Sequence, residues 1–225
     1  MKLKTFVTIL ISVVFWSFSP EVSSSEPGNN TKQPLIWNVS EFLKSTPGVR
    51  ISGNPQMTET SKGKAVKFNG VNDGIFLDDM PLTGLEEFTI EAIFCPASGG
   101  NFEQRFFHSG EIRGDRVLLE LRTTASSWYF DAFIQSGNQK ATLIDSQLLH
   151  PLDQWHHVAY VVGHGKLATY INGQKELQGT INFSPVQTGK TSVGVRLNEQ
   201  SWFKGAISKI RISPRALSPE EFLVL

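Results

Sequence analysis

The chain has 225 residues, 40% of them hydrophobic and 19% charged, and its 21 basic side chains are balanced by 21 acidic ones. Such a composition suits one well-packed domain of moderate size, and a formal net charge of zero excludes a bulk electrostatic attraction to nucleic acid. The single cysteine, Cys95, excludes an intramolecular disulfide and a thiolate metal cluster.

The first residues read as an export signal. Lys2 and Lys4 precede the apolar run FVTILISVVFWSF (6–18), which is too short for a comfortable membrane span, and small residues follow in PEVSSSE. This predicts a signal peptide over 1–25, cut near Ser24 or Ser25, with no cysteine at the boundary for lipid attachment and an uncleaved signal anchor as the alternative. A polar linker, 26–33, then leads into one folded domain, 34–225. The expected location is secreted, or in the periplasm or cell envelope, with no membrane span after cleavage.

PLIWNVSEFLKSTPG holds a short helical stretch around Ser40–Lys44, stopped by Pro47 and Gly48. Beyond it the pattern is strand-like. KAVKFNG alternates, with Val66 and Phe68 on one face, and VNDGIFL turns through Asn72-Asp73-Gly74 into a second short strand. FTIEAIFCP puts Phe88, Ile90, Ala92 and Phe94 on one side and carries Cys95 as a buried, inert thiol. RVLLELRT, SWYFDAFIQS and KATLIDSQ follow at short intervals. WHHVAYVV then turns through Gly163-His164-Gly165 into KLATYI, and KLATYI turns through Asn172-Gly173, a type I′ signal, into QKEL. After TSVGVRL and AISKIRIS, Ser218 stands three residues before Glu221 with Pro219 between, a capping box for one short terminal helix. More than ten short strands with regular turns predict an all-β sandwich or jelly roll.

Several segments together resemble the LamG-like jelly-roll domains of the concanavalin A-like lectin/glucanase superfamily. These are AVKFNGVNDGIFL, FTIEAIFCP, QWHHVAYVV with GKLATYINGQ, and GAISKIRISPRALSPEEF, in the family's order from Ala65 to Phe222. The resemblance implies an antiparallel two-sheet jelly-roll sandwich of about 12 to 14 strands, with a short C-terminal helix. It also implies that Trp155 is the family's core tryptophan. Members commonly hold a structural calcium near an Asp of the closing strand, but Ser208 and Lys209 stand there in this chain. Asp78 and Asp79 are the weaker alternative calcium ligands, and no firm metal site or cofactor is expected.

Glucanases of this fold carry an E-x-D-x-E or E-x-D-x-x-E triplet on one strand, so that alternation aims nucleophile and acid at one cleft. No such triplet is present: Glu86, Glu87 and Glu91 lack the middle Asp, and EIRGDRVLLE has the wrong spacing. The chain is therefore expected to have no catalytic residues. His156 and His157 are neighbours on a strand and point to opposite faces, and His164 lies in the next turn, so the three cannot share one metal. One of the pair is expected to pack in the sheet and the other to meet solvent.

A carbohydrate site needs an aromatic face with planar polar groups beside it. Trp128 and Trp202 supply the first; Asn101 and Arg105 in one loop, and Arg196 and Asn198 in another, supply the second. Arg113, Arg116 and Arg122 are weighed as a basic strip for acidic glycans, against scattered surface charge. The leading expectation is an exported, non-catalytic module for a glycan or extracellular protein. A protein-interaction or structural module of the cell envelope is the alternative, and a glycoside hydrolase with carboxylates spread over several strands is the third.

Overall fold

A computed structural model describes residues 33–225; the expected leader, and all of the linker but Gln33, lie outside the described residues. In chain order the strands are β1 (Leu35–Asn38), β2 (Val49–Ser52), β3 (Gln56–Thr60), β4 (Gly63–Asn69) and β5 (Gly74–Leu77). Next come β6 (Phe88–Pro96), β7 (Glu103–Gly110), β8 (Arg116–Thr123), β9 (Ser127–Ser136), β10 (Gln139–Ile144) and β11 (His150–Pro151). The last are β12 (His156–Gly163), β13 (Lys166–Ile171), β14 (Gln174–Thr180), β15 (Lys190–Val193) and β16 (Lys204–Ser213).

They form two eight-stranded antiparallel sheets. The first runs β14-β13-β12-β6-β16-β4-β3 with β1 also on β16, and the second runs β10-β9-β8-β7-β15-β5-β2 with β11 on β9. The expected meander is β12-β13-β14; Asn172 (φ 49°) and Gly173 (φ 79°) both take the left-handed backbone that a type I′ turn requires. No helix of the described residues is long and apolar enough to cross a membrane.

Strand alternation builds the core. Phe88, Ile90, Ala92 and Phe94 of β6 all point between the sheets, meeting Leu119 and Leu121 of β8 and Trp128, Phe130 and Ile134 of β9. Phe94 stacks on Phe106 at 4.7 Å between centroids and meets Trp128 edge-on at 5.2 Å. Each such fully buried side chain contributes roughly 1.5–3 kcal/mol of hydrophobic stabilisation. A register shift between Arg105 and Phe107 lets both Phe106 and Phe107 enter the core while Arg105 stays opposite Glu120.

Four local expectations change. The Asn72-Asp73-Gly74 turn does not close a hairpin, because β4 and β5 belong to different sheets. The segment crosses the edge of the sandwich, with buried Asp73 accepting the N–H groups of Asn54 (2.8 Å) and Asn69 (3.0 Å). Both expected helices are single 3-10 stretches, Val39–Leu43 and Pro219–Glu221, and the Ser218–Glu221 capping box closes the second. Trp128, not Trp155, is the fully buried tryptophan; Trp155 is half-buried at the entry to β12. Cys95 is also half-buried, and burial with nearby Asp153 raises its thiol pKa.

Candidate functional site

The histidines divide as alternation requires. His156 turns inward, its ring 5.2 Å from Trp128, and its Nε2 donates to the Pro151 carbonyl (2.9 Å). His157 turns to the outer face of the first sheet and donates to Glu91 Oε1 at 3.0 Å. Both are buried, so neither meets solvent as expected; the second is covered by the C-terminal segment, whose Phe222 ring lies 5.5 Å away. His164 sits exposed in its turn, 2.7 Å from Glu87.

Glu91 organises that covered face. It accepts from His157, from Arg211 Nε and from the N–H of Leu223 (2.7 Å), while Phe222 and Leu217 pack on Ala159. Burial alone would raise the carboxyl, yet these bonds from His157, Arg211 and Leu223 hold it below the usual carboxylate range.

The second sheet turns a different surface away from the core. Val117, Leu119 and Leu121 point inward, so Arg116, Glu120 and Arg122 share the opposite face, next to Asp131 of β9. Arg105 pairs with Glu103 and with Glu120 (3.0 Å), and Arg122 reaches Glu120 (3.3 Å), Glu103 (3.4 Å) and Asp131 (2.6 Å). Burial pushes Glu120 up to about 7: Arg105 and Arg122 pull it down, but Asp131 directly across the ladder and Glu103 push it further. The network is incompletely satisfied. Asp131 Oδ1 and the Nε atoms of Arg105, Arg116 and Arg196 are buried without a protein partner.

Beside this network lies an open groove of about 1060 Å³, running over β2, β5 and β15 to the end of β7. Arg50, Phe76, Asp78, Arg113, Lys190 and Leu197 line it. The Arg50 guanidinium lies 3.8 Å over the centre of the Phe76 ring and pairs with Glu199 at 2.9 Å. Lys190 pairs with Asp78 at 2.6 Å. At the floor the strands approach so closely that a Cβ on Gly189 would stand 2.1 Å from the Gly110 carbonyl carbon, which only glycine permits.

One wall is the 111–115 turn between β7 and β8, and its carbonyls are held one by one. His108 Nε2 donates to Glu111 O (3.0 Å), Arg196 to Ile112 O (3.1 Å) and Arg116 to Gly114 O (2.6 Å). His108 Nδ1 accepts the N–H of Leu197 (3.2 Å), tying this wall to the 194–203 loop and fixing the neutral Nε2–H tautomer. Burial, reinforced by Arg196, Arg116 and Arg105, lowers the His108 pKa to about 3.

The residues expected to bind are only partly brought together. Arg196 braces the groove wall through Ile112 O without lining the groove, and Asn198 sits in the same loop, its Nδ2 donating to Gln200 (2.9 Å). Arg105 is buried in the ion network, not in an open loop. Trp128 and its neighbour Tyr129 point to opposite faces of β9, and Trp128 is the one withdrawn into the core, away from any surface site. Trp202 is half-buried outside the groove lining, over Gly74, where a Cβ would stand 3.0 Å from its ring. Exposed Asn101 uses its carbonyl to hold Gln104 and Thr123. Asp78 is spent on Lys190, exposed Asp79 lies beyond β5, and among the described residues no three metal-ligating side chains gather. Ser208 sits in a β-bulge and donates to Ile93 O (3.4 Å).

Sequence reasoning does not assemble Arg50, Phe76 and Lys190 of the groove, or Glu103, Glu120 and Asp131, into one cluster. For Glu120 alone a signal was present, since Arg116, Glu120 and Arg122 alternate with the core residues of RVLLELRT.

Two packed antiparallel sheets, one with an open groove on its outer face, define a jelly-roll sandwich domain. The Laminin_G_3 family model, described as the concanavalin A-like lectin/glucanases superfamily, matches residues 69–222, and the chain belongs to this family. Its fold is similar to domain 4 of AbnA, a GH43 extracellular arabinanase from Geobacillus stearothermophilus solved with arabinotriose. Identity is 26%, the TM-score is 0.60, and 77% of this chain and 85% of that one are covered. The binding domain of botulinum neurotoxin serotype D matches at 19% identity and TM-score 0.59, over 77% of this chain and 44% of that one. The heptameric SAP-like pentraxin of Limulus polyphemus matches at 16% and 0.56, over 70% and 78%. These last two likenesses concern the fold. Comparison with curated proteins finds no match.

Proposed function

We propose that the chain is an exported, non-catalytic module that binds carbohydrate in the groove of the second sheet. The observation that carries this reading is the groove itself: an open trough of about 1060 Å³ with a rigidly held wall, an aromatic ring and three long cationic side chains. Planar donors next to an apolar face suit a sugar, whose hydroxyls and ring faces need both. The arabinanase domain solved with arabinotriose, 26% identical, supports the same ligand class. The non-catalytic part rests on the carboxylates. Glu120 and Asp131 are buried and tied to arginines, and Asp78 and Glu111 in the groove are bonded to Lys190 and Thr188. A glycosidase needs two working carboxyls about 5–9.5 Å apart across the sugar. Export rests on the basic and apolar pattern of residues 2–18.

Retention of the protein on immobilised neutral, acidic and sulfated polysaccharides is the test, with release of reducing ends followed in parallel. Retention by at least one polymer, lost in Phe76→Ala, is the expected result. Failure on every polymer would sink the carbohydrate reading, and reducing-end release would sink the non-catalytic one. Capture of an envelope protein that free sugar does not compete would move the assignment to a protein-interaction module. N-terminal sequencing of the exported protein should begin close to Ser24 or Ser25.

A further inference from the structure

Six of the chain's eight arginines, at 50, 105, 113, 116, 122 and 196, belong to the second sheet's outer face or the loops over it. Guanidinium groups present paired N–H donors in a plane, matching the two oxygens of a carboxylate or an edge of a sulfate. The carboxylates of this face differ in how firmly they are engaged. Glu103, Glu120 and Asp131 are committed to Arg105 and Arg122, Asp115 accepts the N–H of Gly137, and Glu111 accepts from Thr188. Arg116 and Arg196, which have no carboxylate within 4.0 Å among the described residues, spend donors on the turn carbonyls.

That leaves the groove's own cations. Arg113, exposed at the tip of the 111–115 turn, has neither a hydrogen-bond nor a salt-bridge partner among the described residues. Arg50 and Lys190 are paired, but with side chains 57% and 63% exposed and partners Glu199 and Asp78 51% and 68% exposed. Exposed pairs of this kind hold by roughly 0–1 kcal/mol, so a ligand oxyanion can exchange with either partner at small cost. Phe76 holds the Arg50 guanidinium over its ring at the groove floor, and Gly110 and Gly189 add no side chain to fill the space beside it.

We propose that the groove's ligand is an acidic saccharide, whose carboxylate or sulfate group is met by Arg113 together with Arg50 and Lys190. This rests on the carbohydrate reading above and specifies its chemical class.

The test is titration of the full chain with polygalacturonate, dextran sulfate and neutral arabinan at about 50 and about 300 mM salt, where screening of exposed charges differs strongly. At least one acidic polymer should bind roughly tenfold more tightly than arabinan and weaken several-fold at the higher salt. Arg113→Ala and Lys190→Gln should each lower that affinity roughly tenfold with an unchanged unfolding midpoint. Glu199→Gln and Asp78→Asn should raise it about two- to fivefold by removing the competing carboxylates, a gain that a merely structural role cannot produce. Binding of polygalacturonate alone assigns a carboxylate, of dextran sulfate alone a sulfate, and either supports the proposal. Equal or tighter binding of arabinan, unaffected by Arg113→Ala, would overturn it and leave the carbohydrate reading standing. Acidic polymer that binds all four variants alike would also overturn it. Retention of no polymer would remove the carbohydrate reading, and this inference with it.

Discussion

Each sheet turns one face away from the core, and each outer face buries a carboxylate, yet the two are treated oppositely. On the first sheet Glu91 is met by His157, Arg211 and the N–H of Leu223, and the C-terminal segment closes over it. On the second, Glu120 shares two arginines with Glu103 and Asp131, three arginine Nε atoms and one carboxylate oxygen stay unpartnered, and a groove opens alongside. Burial is similar in both places. What differs is whether the donors arrive. A carboxylate with all its donors acts as a clamp, and its pKa falls; one with a rival carboxylate beside it is held against its own electrostatics, and its pKa rises. The first face is closed by the chain's own C-terminal segment, and the second leaves unpartnered polar atoms next to open space.

The contrast breaks most directly at Glu91. Glu91→Ala leaves buried His157 without its acceptor, strips half-buried Arg211 of its ion-pair partner and frees Leu223, and should cost about 3–5 kcal/mol in chemical denaturation. The folded fraction should keep its glycan retention. A loss under 1 kcal/mol would mean that the C-terminal cover is dispensable.

Glu120 sharpens the other side. Its folded pKa of about 7 lies above the unfolded carboxylate value, so the folded state binds the extra proton. That contribution is complete below the unfolded value and is lost as pH rises through 7. Relative to Glu120→Gln, the protein should lose on the order of 2–3 kcal/mol between about pH 4.5 and pH 7.5. A parallel pair of stability curves would contradict the assignment.

His108 acts in the reverse direction. Its folded pKa of about 3 is below the unfolded value, so stability is complete above about pH 6.5 and falls as the pH drops and only the unfolded chain takes up the proton. Relative to His108→Gln the protein should lose about 2 kcal/mol from pH 6.5 to pH 4.5. Over that window the two residues of the second sheet oppose each other, and the single variants separate them. Smallest of all, Arg50→Ala should change stability by less than about 0.5 kcal/mol, because its ion pair is exposed, while retention on the proposed acidic ligand should fall several-fold.

Most of the fold was legible because strand faces repeat every second residue and turns announce themselves. Asn172-Gly173 marked its hairpin, and Phe88, Ile90, Ala92 and Phe94 were placed on one face that does line the core. Alternation also separated Trp128 from Tyr129 without revealing which of them faced inward, and that choice depends on β9 pairing with β8. The same limit hid the charged face. Glu103, Glu120 and Asp131 lie on three strands and meet only through their register, so a search for three carboxylates on one strand passes over them. Phe76 and Arg50 are likewise distant in sequence, on strands joined only by the edge pairing of β2 with β5. His157 is the reverse case: its strand position was readable, but the chain that covers it arrives more than 60 residues later.

The placement of β1 and of the C-terminal cover has a practical side. Both flanks of the described fold lie on the first sheet, β1 against β16 and Leu223 against Glu91, while the groove opens on the second. A sensor chip or bead that grips the protein beyond either flank therefore presents the groove to solution. A grip through Lys190, the lysine that lines the groove, would blind the same measurement.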